Sequence, residues 1–193
     1  MKKNFLILTI CCLVSLSAVH SQSMLYRPGF VTVGDLVVEE AMKYLGTPYH
    51  WGGQTPKGFD CAGFVRFIYA KFGVSLASGA RPQYKQGTPI DDKDISRGDL
   101  VFYGGRVGSS KVVGHVGIVT DVDSNGFYFI HSATTLGVSI SHSNEPYYRI
   151  RYIGACRVMD RVVTNLPMGP LPHLKEAHPV YLQFGNLSVT SDQ

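Results

Sequence analysis

The chain has 193 residues, of which 45% are hydrophobic and 17% are charged, and its formal net charge is +4. This composition excludes a globally disordered chain and is sufficient for one packed domain. The net charge is small and no run of Lys or Arg exceeds two residues, so we expect no nucleic-acid partner.

Residues 1–21 have the pattern of a secretory signal peptide. Lys2 and Lys3 precede an apolar run over residues 5–14, and small residues follow it. The run is too short for a membrane-spanning helix, so we expect no transmembrane segment. We place the cleavage before Gln22 and predict export to the periplasm or the extracellular space.

The four cysteines raise two alternatives. Cys11 and Cys12 could indicate a lipoprotein, but no small residue precedes either one and both lie early in the apolar run, so we favour ordinary secretion. Cleavage leaves Cys61 and Cys156, a pair that could form a disulfide in an oxidising compartment. The surroundings of Cys61 favour a free thiol instead.

Two helices are predicted in the N-terminal part of the chain. The first covers residues 33–45, with Thr32 as its N-cap. A loop rich in Gly and Pro follows over residues 47–60. The second helix begins at Cys61 and ends at Gly73, and its apolar stripe consists of Phe64, Val65, Ile68, Tyr69 and Phe72.

The remainder of the domain changes to the two-residue period of strands. The predicted strands cover residues 99–103, 115–122, 126–133, 136–143 and 152–159, with a hairpin turn at residues 123–126. Helices followed by a meander of strands indicate an α+β fold with an antiparallel sheet. We therefore predict one domain over residues 22–162 and a Pro-rich tail over residues 163–193.

Cys61 has the setting of a reactive thiol. It opens a helix, where unpaired backbone N–H groups and the helix dipole lower the pKa of a thiol. A nucleophilic thiol also needs a base, and His115 and His131 lie on consecutive strands that are joined by the hairpin. A Cys on a helix, a His on a strand and a second polar group follow the logic of a papain-like triad.

Each of these residues also has a plainer interpretation. Cys61 could be a small buried hydrophobe, Asp60 the N-cap of the second helix and nothing more, and Tyr49 a core aromatic. Each histidine could be a satisfied polar residue on a strand. No two of the His and Cys residues have a short metal-ligand spacing, so we expect no metal and no other cofactor.

Five motifs occur along the chain in a specific order, namely TPYHWGG, GFDCAGFV, RGDLVFY, GHVGIV and FIHSAT. In this order they resemble the NlpC family of bacterial cell-wall cysteine peptidases, over residues 35–160. The segment NEPYY and the following RYIGACRVM further resemble the single-domain murein endopeptidases of the Spr lipoprotein type.

The resemblance implies a papain-like fold, in which N-terminal helices pack on an antiparallel sheet, and cleavage of peptidoglycan stem peptides. It assigns Cys61 as the nucleophile, His115 as the base and His131 as the orienting residue. It also implies that Tyr49 lines the site near the oxyanion and that Asp60 can hold a substrate amine.

The chain departs from the family pattern at two positions. Ala62 follows the nucleophile where the family usually has Ser, and Ala80 stands where family members often have a hydroxyl residue. Both positions concern substrate contacts in the family, so we expect a more apolar pocket with an altered stem-peptide preference.

The leading hypothesis is a secreted, monomeric peptidoglycan endopeptidase that cuts at or near the γ-D-glutamyl-diaminoacid bond by a Cys-His-His mechanism. One alternative is an amidase or acyltransferase on the same fold. Another is a catalytically silent domain that binds the cell wall. The expected partners are the stem peptides and a protein inhibitor or a wall-targeting partner. No second binding domain is visible in the sequence, so we expect wall targeting to come from the domain itself, its tail or a partner.

Overall fold

The computed structural model describes residues 31–105, 112–159 and 163–164, and within these ranges helices pack against an antiparallel sheet. The predicted signal peptide, with its two cysteines, and nearly all of the predicted tail lie outside the described residues. No helix in the described ranges is long and apolar enough to cross a membrane.

Four α-helices occur in the described part of the chain. They are α1 (Val33–Met42), α2 (Cys61–Ala70), α3 (Ala80–Gln86) and the short α4 (Pro146–Arg149), and a 3-10 turn lies at Asp92–Asp94. The helix α1 contacts α2, and α2 lies against the strands that carry residues 113–133.

The main sheet has six antiparallel strands. In spatial order they are β4 (Thr88–Ile90), β9 (Tyr152–Arg157), β5 (Leu100–Gly104), β6 (Val113–Asp123), β7 (Gly126–Ala133) and β8 (Gly137–His142). Two smaller antiparallel pairs are β1 (Val31–Thr32) with β10 (Val163–Thr164) and β2 (Gln54–Thr55) with β3 (Gly58–Phe59). The predicted α+β class, with helices packed on an antiparallel sheet, is confirmed.

Both predicted helices form with the predicted caps. Thr32 and Asp35 close a capping box at the start of α1, each side chain accepting a backbone N–H from the other residue. The helix α1 ends at Met42, three residues earlier than predicted, and a turn leads on to Gly46. The helix α2 ends at Ala70, three residues before the predicted end at Gly73. A turn leads on to Gly73, whose φ of 78° is readily adopted only by glycine.

The apolar stripe of α2 faces the sheet as predicted, because all five of its side chains are at most 4% exposed. The opposing side chains come from alternate positions of the strands, including Leu100, Phe102, Val116 and Ile118. The strand β5 is buried on both faces, since Val101 and Tyr103 belong to a second cluster behind the sheet.

The five predicted strands are all present, with ends that differ by one or two residues. The hairpin between β6 and β7 is also confirmed, with Asp123 paired to Gly126. The sequence patterns did not indicate α3, β4, α4 or the small β2–β3 hairpin. These elements have two to seven residues, too few to show a hydrophobic period.

Candidate active site

The site is built around the N-terminus of α2. Asp60 is the N-cap residue, and its Oδ1 accepts the backbone N–H of Gly63 at 2.6 Å. Its Oδ2 accepts the N–H of Gly52 at 3.0 Å, and its own N–H donates to the carbonyl of Gly53 at 3.0 Å. Asp60 therefore caps the helix, as predicted, and also pins the preceding loop against it.

Cys61 is the first residue of α2, and its half-buried side chain packs against the main core. The backbone N–H groups of Val116 and Ala62 face the sulfur atom and favour its thiolate form. Since Val116 follows His115 directly on β6, this contact places the thiol beside the strand that carries the predicted base. Cys61 and Cys156 are both free thiols, and Cys156 is buried on β9.

The expectation of a depressed thiol pKa is wrong. Burial, with a further contribution from the charge of Asp60, raises the pKa of Cys61 to about 11. The backbone N–H groups at the helix start act in the opposite direction, but they do not outweigh the loss of solvent around the sulfur. The Cys61 side chain is therefore a neutral thiol at neutral pH.

The two predicted histidines lie in contact with each other, on the paired strands β6 and β7. His115 Nε2 lies 2.8 Å from His131 Nδ1, and the rings are nearly perpendicular, at 88°. Gly117 makes room for this arrangement, because a Cβ there would lie 2.6 Å from the Phe129 ring and 3.2 Å from His131 Cβ.

Both histidines are neutral at neutral pH. Burial lowers the pKa of His115 to about 4, although its side chain keeps some exposure to solvent. Burial, followed by the effect of His115, holds the pKa of His131 well below its usual value, and this side chain is completely buried.

Two residues that the sequence patterns did not indicate complete the surroundings of His131. Ser141 Oγ, from β8, and the Tyr148 hydroxyl, from α4, each lie 3.2 Å from His131 Nε2. Ser141 carries no signal in its spacing, because its proximity depends on the pairing of β8 with β7. Tyr148 lies in the NEPYY motif, and the motif by itself gives the tyrosine no role.

Tyr49 lies in the loop before α2, where it forms an isolated parallel bridge with Phe59, and it is half-buried. This position is close to the start of the helix in the fold as well as in the sequence. The contribution of Tyr49 to an oxyanion site stays a prediction.

The expected apolar substrate contacts at Ala62 and Ala80 are not supported by the fold. These side chains are 5% and 7% exposed and belong to the core between the helices and the sheet. The carbonyl of Ala62 is also occupied, since it accepts the side-chain amide of Gln83 at 3.0 Å. Both methyl groups therefore offer little surface to a substrate.

The arrangement is suited to nucleophilic catalysis on a carbonyl group. It combines a thiol at a helix N-terminus, an imidazole on the adjacent strand and a second imidazole that is hydrogen-bonded to the first. Within the described ranges, no three His, Cys, Asp or Glu side chains are grouped as they would be to hold a metal ion.

The curated proteins that are similar to this chain include two cell-wall enzymes. The bifunctional muramidase/DL-endopeptidase CwlT of Bacillus subtilis is 37% identical over 125 residues, which is 64% of this chain and 36% of the relative. The murein DD-endopeptidase MepS/murein LD-carboxypeptidase of Escherichia coli is 37% identical over 132 residues, which is 68% of this chain and 66% of the relative. The chain therefore spans between about a third and about two thirds of the length of these relatives.

Solved structures agree with the sequence relatives. An NlpC/P60 family protein from Bacillus cereus superposes with a TM-score of 0.59 at 29% identity, over 70% of this chain and 43% of that protein. Residues 46–157, more than half of the chain, match the NlpC/P60 family and include the helix start with Cys61 and both histidine strands. The chain belongs to the NlpC/P60 family.

Proposed function

We propose that this chain is a cysteine peptidase that hydrolyses the stem peptides of peptidoglycan. One observation carries the proposal. Cys61, at the start of α2, lies against the strand β6, and His115 on that strand is hydrogen-bonded to His131. Family membership and the names of both curated relatives, which are endopeptidases, support the same reading.

Cys61 is the nucleophile and His115 the general base. His115 Nε2 is engaged with His131, so Nδ1 is the nitrogen that accepts the thiol proton. As the sulfur attacks the amide carbonyl, the S–C bond forms and the S–H proton moves to His115. Burial opposes an isolated thiolate and an isolated imidazolium, so proton transfer and attack occur together.

The carbonyl oxygen becomes an oxyanion at the N-terminus of α2. The backbone N–H of Cys61 stabilises it, with Tyr49 as a second donor, and one such donor is worth about 3 kcal/mol in other enzymes. The protonated His115 then gives its proton to the leaving amine, which breaks the C–N bond. The neutral imidazole activates a water molecule that hydrolyses the thioester.

Asp60 has a second role in this proposal, as a partner for a substrate amine. Both of its oxygens already accept one backbone N–H each, from Gly63 and Gly52. A carboxylate oxygen has two lone pairs, so capping and amine binding are compatible.

The bond that we propose is the γ-D-glutamyl-diaminoacyl bond. The two relatives at 37% identity are named for different bonds, a DL bond and a DD bond, so fragment analysis is the decisive test. Purified peptidoglycan is digested and the fragments are identified by mass spectrometry. We expect fragments cut after D-glutamate from the wild type and from Cys156→Ala, and none from Cys61→Ala.

Other fragment patterns would contradict parts of the proposal. Cuts at cross-links alone would make the protein a DD-endopeptidase, and release of whole peptides from the glycan would make it an amidase. Undiminished digestion by the Cys61→Ala variant would show that Cys61 is not the nucleophile.

We also propose that residues 1–21 are removed on export, that residues 22–162 form the catalytic domain and that residues 163–193 form a tail. The net positive start and the short apolar run support the first part. Mass spectrometry of the secreted protein should find Gln22 at the N-terminus. A diacylglyceryl group on Cys11 or Cys12 would show a lipoprotein instead.

A further inference from the structure

The ring of His131 is held at both nitrogens. Its Nδ1 lies 2.8 Å from His115 Nε2, and its Nε2 lies 3.2 Å from each of two oxygens, Ser141 Oγ and the Tyr148 hydroxyl. The ring is completely buried, so neither nitrogen can exchange a protein partner for bulk water. The proton positions in this chain of contacts are therefore set by the protein.

The proton positions follow from the proposed function. For His115 Nδ1 to accept the thiol proton, the single proton of neutral His115 must be on Nε2. That N–H donates to His131 Nδ1, which must then be an acceptor. The proton of neutral His131 is consequently on Nε2 and needs an acceptor at that end.

We propose that the hydroxyl oxygens of Ser141 and Tyr148 together accept the Nε2–H of His131 and so fix the tautomers of His131 and His115. The inference rests on the proposed function, because it concerns how His115 is kept ready to take the thiol proton. Ser141 and Tyr148 are positioning residues, because their hydroxyl groups lie against His131 Nε2 and act through that ring.

The two hydroxyl groups can supply this acceptor. Each hydroxyl has one donor hydrogen and two acceptor lone pairs. A hydroxyl that donates its hydrogen elsewhere therefore still has a lone pair to offer to the Nε2–H of His131. The equal distances of 3.2 Å indicate a bond shared between the two oxygens.

Neutral acceptors have an advantage over a carboxylate in this position. A carboxylate at Nε2 would favour a positively charged His131, and that charge would oppose protonation of the neighbouring His115. Hydroxyl oxygens orient the ring without drawing a second proton to it. The pair therefore fixes a tautomer while His115 keeps its capacity as a base.

Loss of both oxygens should reverse the tautomers. A buried Nε2–H without a partner is unfavourable, so the proton of His131 would move to Nδ1. Two N–H groups cannot face each other across 2.8 Å, so His115 would also move its proton to Nδ1. In that form His115 cannot accept the thiol proton.

The test compares Ser141→Ala, Tyr148→Phe and the double variant with the wild type. Tyr148→Phe keeps the ring that packs on Tyr103 and Phe129. We expect kcat of the double variant to fall about ten- to hundredfold, the effect of one unpaired buried group, with KM within about twofold. Each single variant should lose less, because one oxygen remains.

Two readouts need no substrate. The rate of Cys61 alkylation by iodoacetamide at pH 7 should fall in parallel with kcat, since it also depends on proton transfer to His115. Nitrogen-15 chemical shifts of the histidine rings should show Nε2–H forms in the wild type and Nδ1–H forms in the double variant. A wild type without peptidase activity would refute the proposed function, while these two readouts would still decide the role of the hydroxyl pair.

Matched controls are available one position from Tyr148 and two positions from Ser141. Tyr147→Phe changes the neighbouring tyrosine, which is 52% exposed, and Ser139→Ala removes a hydroxyl that bonds to the carbonyl of Gly137. Both should leave all readouts unchanged, and Ser141→Thr, which keeps a hydroxyl, should restore them. A folded double variant with wild-type tautomers, or with kcat within about twofold of the wild type, would overturn the proposal.

Discussion

Opposing influences act on the sulfur of Cys61. Removal from solvent and the carboxylate of Asp60 raise its pKa, whereas the backbone N–H groups of Val116 and Ala62 lower it. The result is a pKa of about 11, and burial gives the neighbouring His115 a pKa of about 4. A neutral thiol and a neutral imidazole are thus the resting pair, and the proposed mechanism depends on moving one proton between them.

The pH dependence of hydrolysis follows from these two pKa values. His115 must be neutral to accept a proton, so kcat/KM should rise as the pH increases through about 4. It should then stay level through neutral pH, because the thiol keeps its proton until about pH 11. Initial rates on a peptide substrate without ionising groups near the cut would measure this profile. An acid limb near pH 6 would instead indicate that Cys61 reacts from a preformed thiolate.

At the scale of elements, the N-terminus of α2 couples helix stability to thiol chemistry. Asp60→Ala removes the cap and should lower the free energy of unfolding by about 1 kcal/mol, which urea denaturation would measure.

Asp60→Asn keeps an oxygen for the cap but removes the charge, so it should lower the pKa of Cys61 and speed its alkylation at pH 8. Thr32→Ala, which removes the cap of α1, is the matched control and should cost similar stability without changing alkylation. Equal alkylation rates for Asp60→Asn and the wild type would contradict the assigned influence of the charge.

The strand β6 depends on Gly117 to bring the two histidines together. Gly117→Ala would place a Cβ at 2.6 Å from the Phe129 ring and 3.2 Å from His131 Cβ, so one of them must move. We expect a loss of about 1–3 kcal/mol in the free energy of unfolding, together with a lower kcat. Gly105→Ala, where the added Cβ would meet none of the described residues within 4 Å, should change neither quantity. Wild-type kcat in folded Gly117→Ala would show that the histidine contact does not depend on this space.

For the whole molecule, the buried neutral histidines make stability depend on pH. The unfolded chain binds a proton at His115 below its ordinary pKa of 6.5, whereas the folded protein does so only near 4. Folded protein therefore binds fewer protons in this window, and stability falls as the pH decreases through it. Between pH 7 and 5 the loss from His115 is at most about 2 kcal/mol, and its partial exposure reduces this value.

Urea denaturation at pH 7 and at pH 5 would measure this loss. The variant His115→Gln should show a smaller difference between the two pH values, because it cannot be protonated. His142→Gln is the control, a substitution on β8 away from the pair. The assignment fails if His115→Gln and the wild type lose the same stability.

Features that depend on nearby residues were predictable from the sequence. The caps at Thr32 and Asp60, the buried face of α2 and the hairpin at Asp123 and Gly126 each follow from side chains within a few positions of one another. Alternation was sufficient for the strands themselves, and the hairpin turn for the pairing that brings His115 towards His131. The meander failed at β9, which pairs with β5 and β4 and not with β8. The motif order was likewise sufficient for the family, because it is itself a property of the sequence.

Contacts between distant segments required the tertiary structure. Burial is produced by several elements at once. It raises the pKa of the Cys61 thiol, although the helix N-terminus acts to lower it. It also places the methyl groups of Ala62 and Ala80 in the core. Ser141 and Tyr148 reach His131 through the pairing of β8 and the placement of α4, which no local pattern specifies. The sequence by itself determined the two long helices, the five longer strands and the candidate site residues. The tertiary structure decided their protonation and orientation, because both depend on which groups exclude water from the site and which donate hydrogen bonds into it.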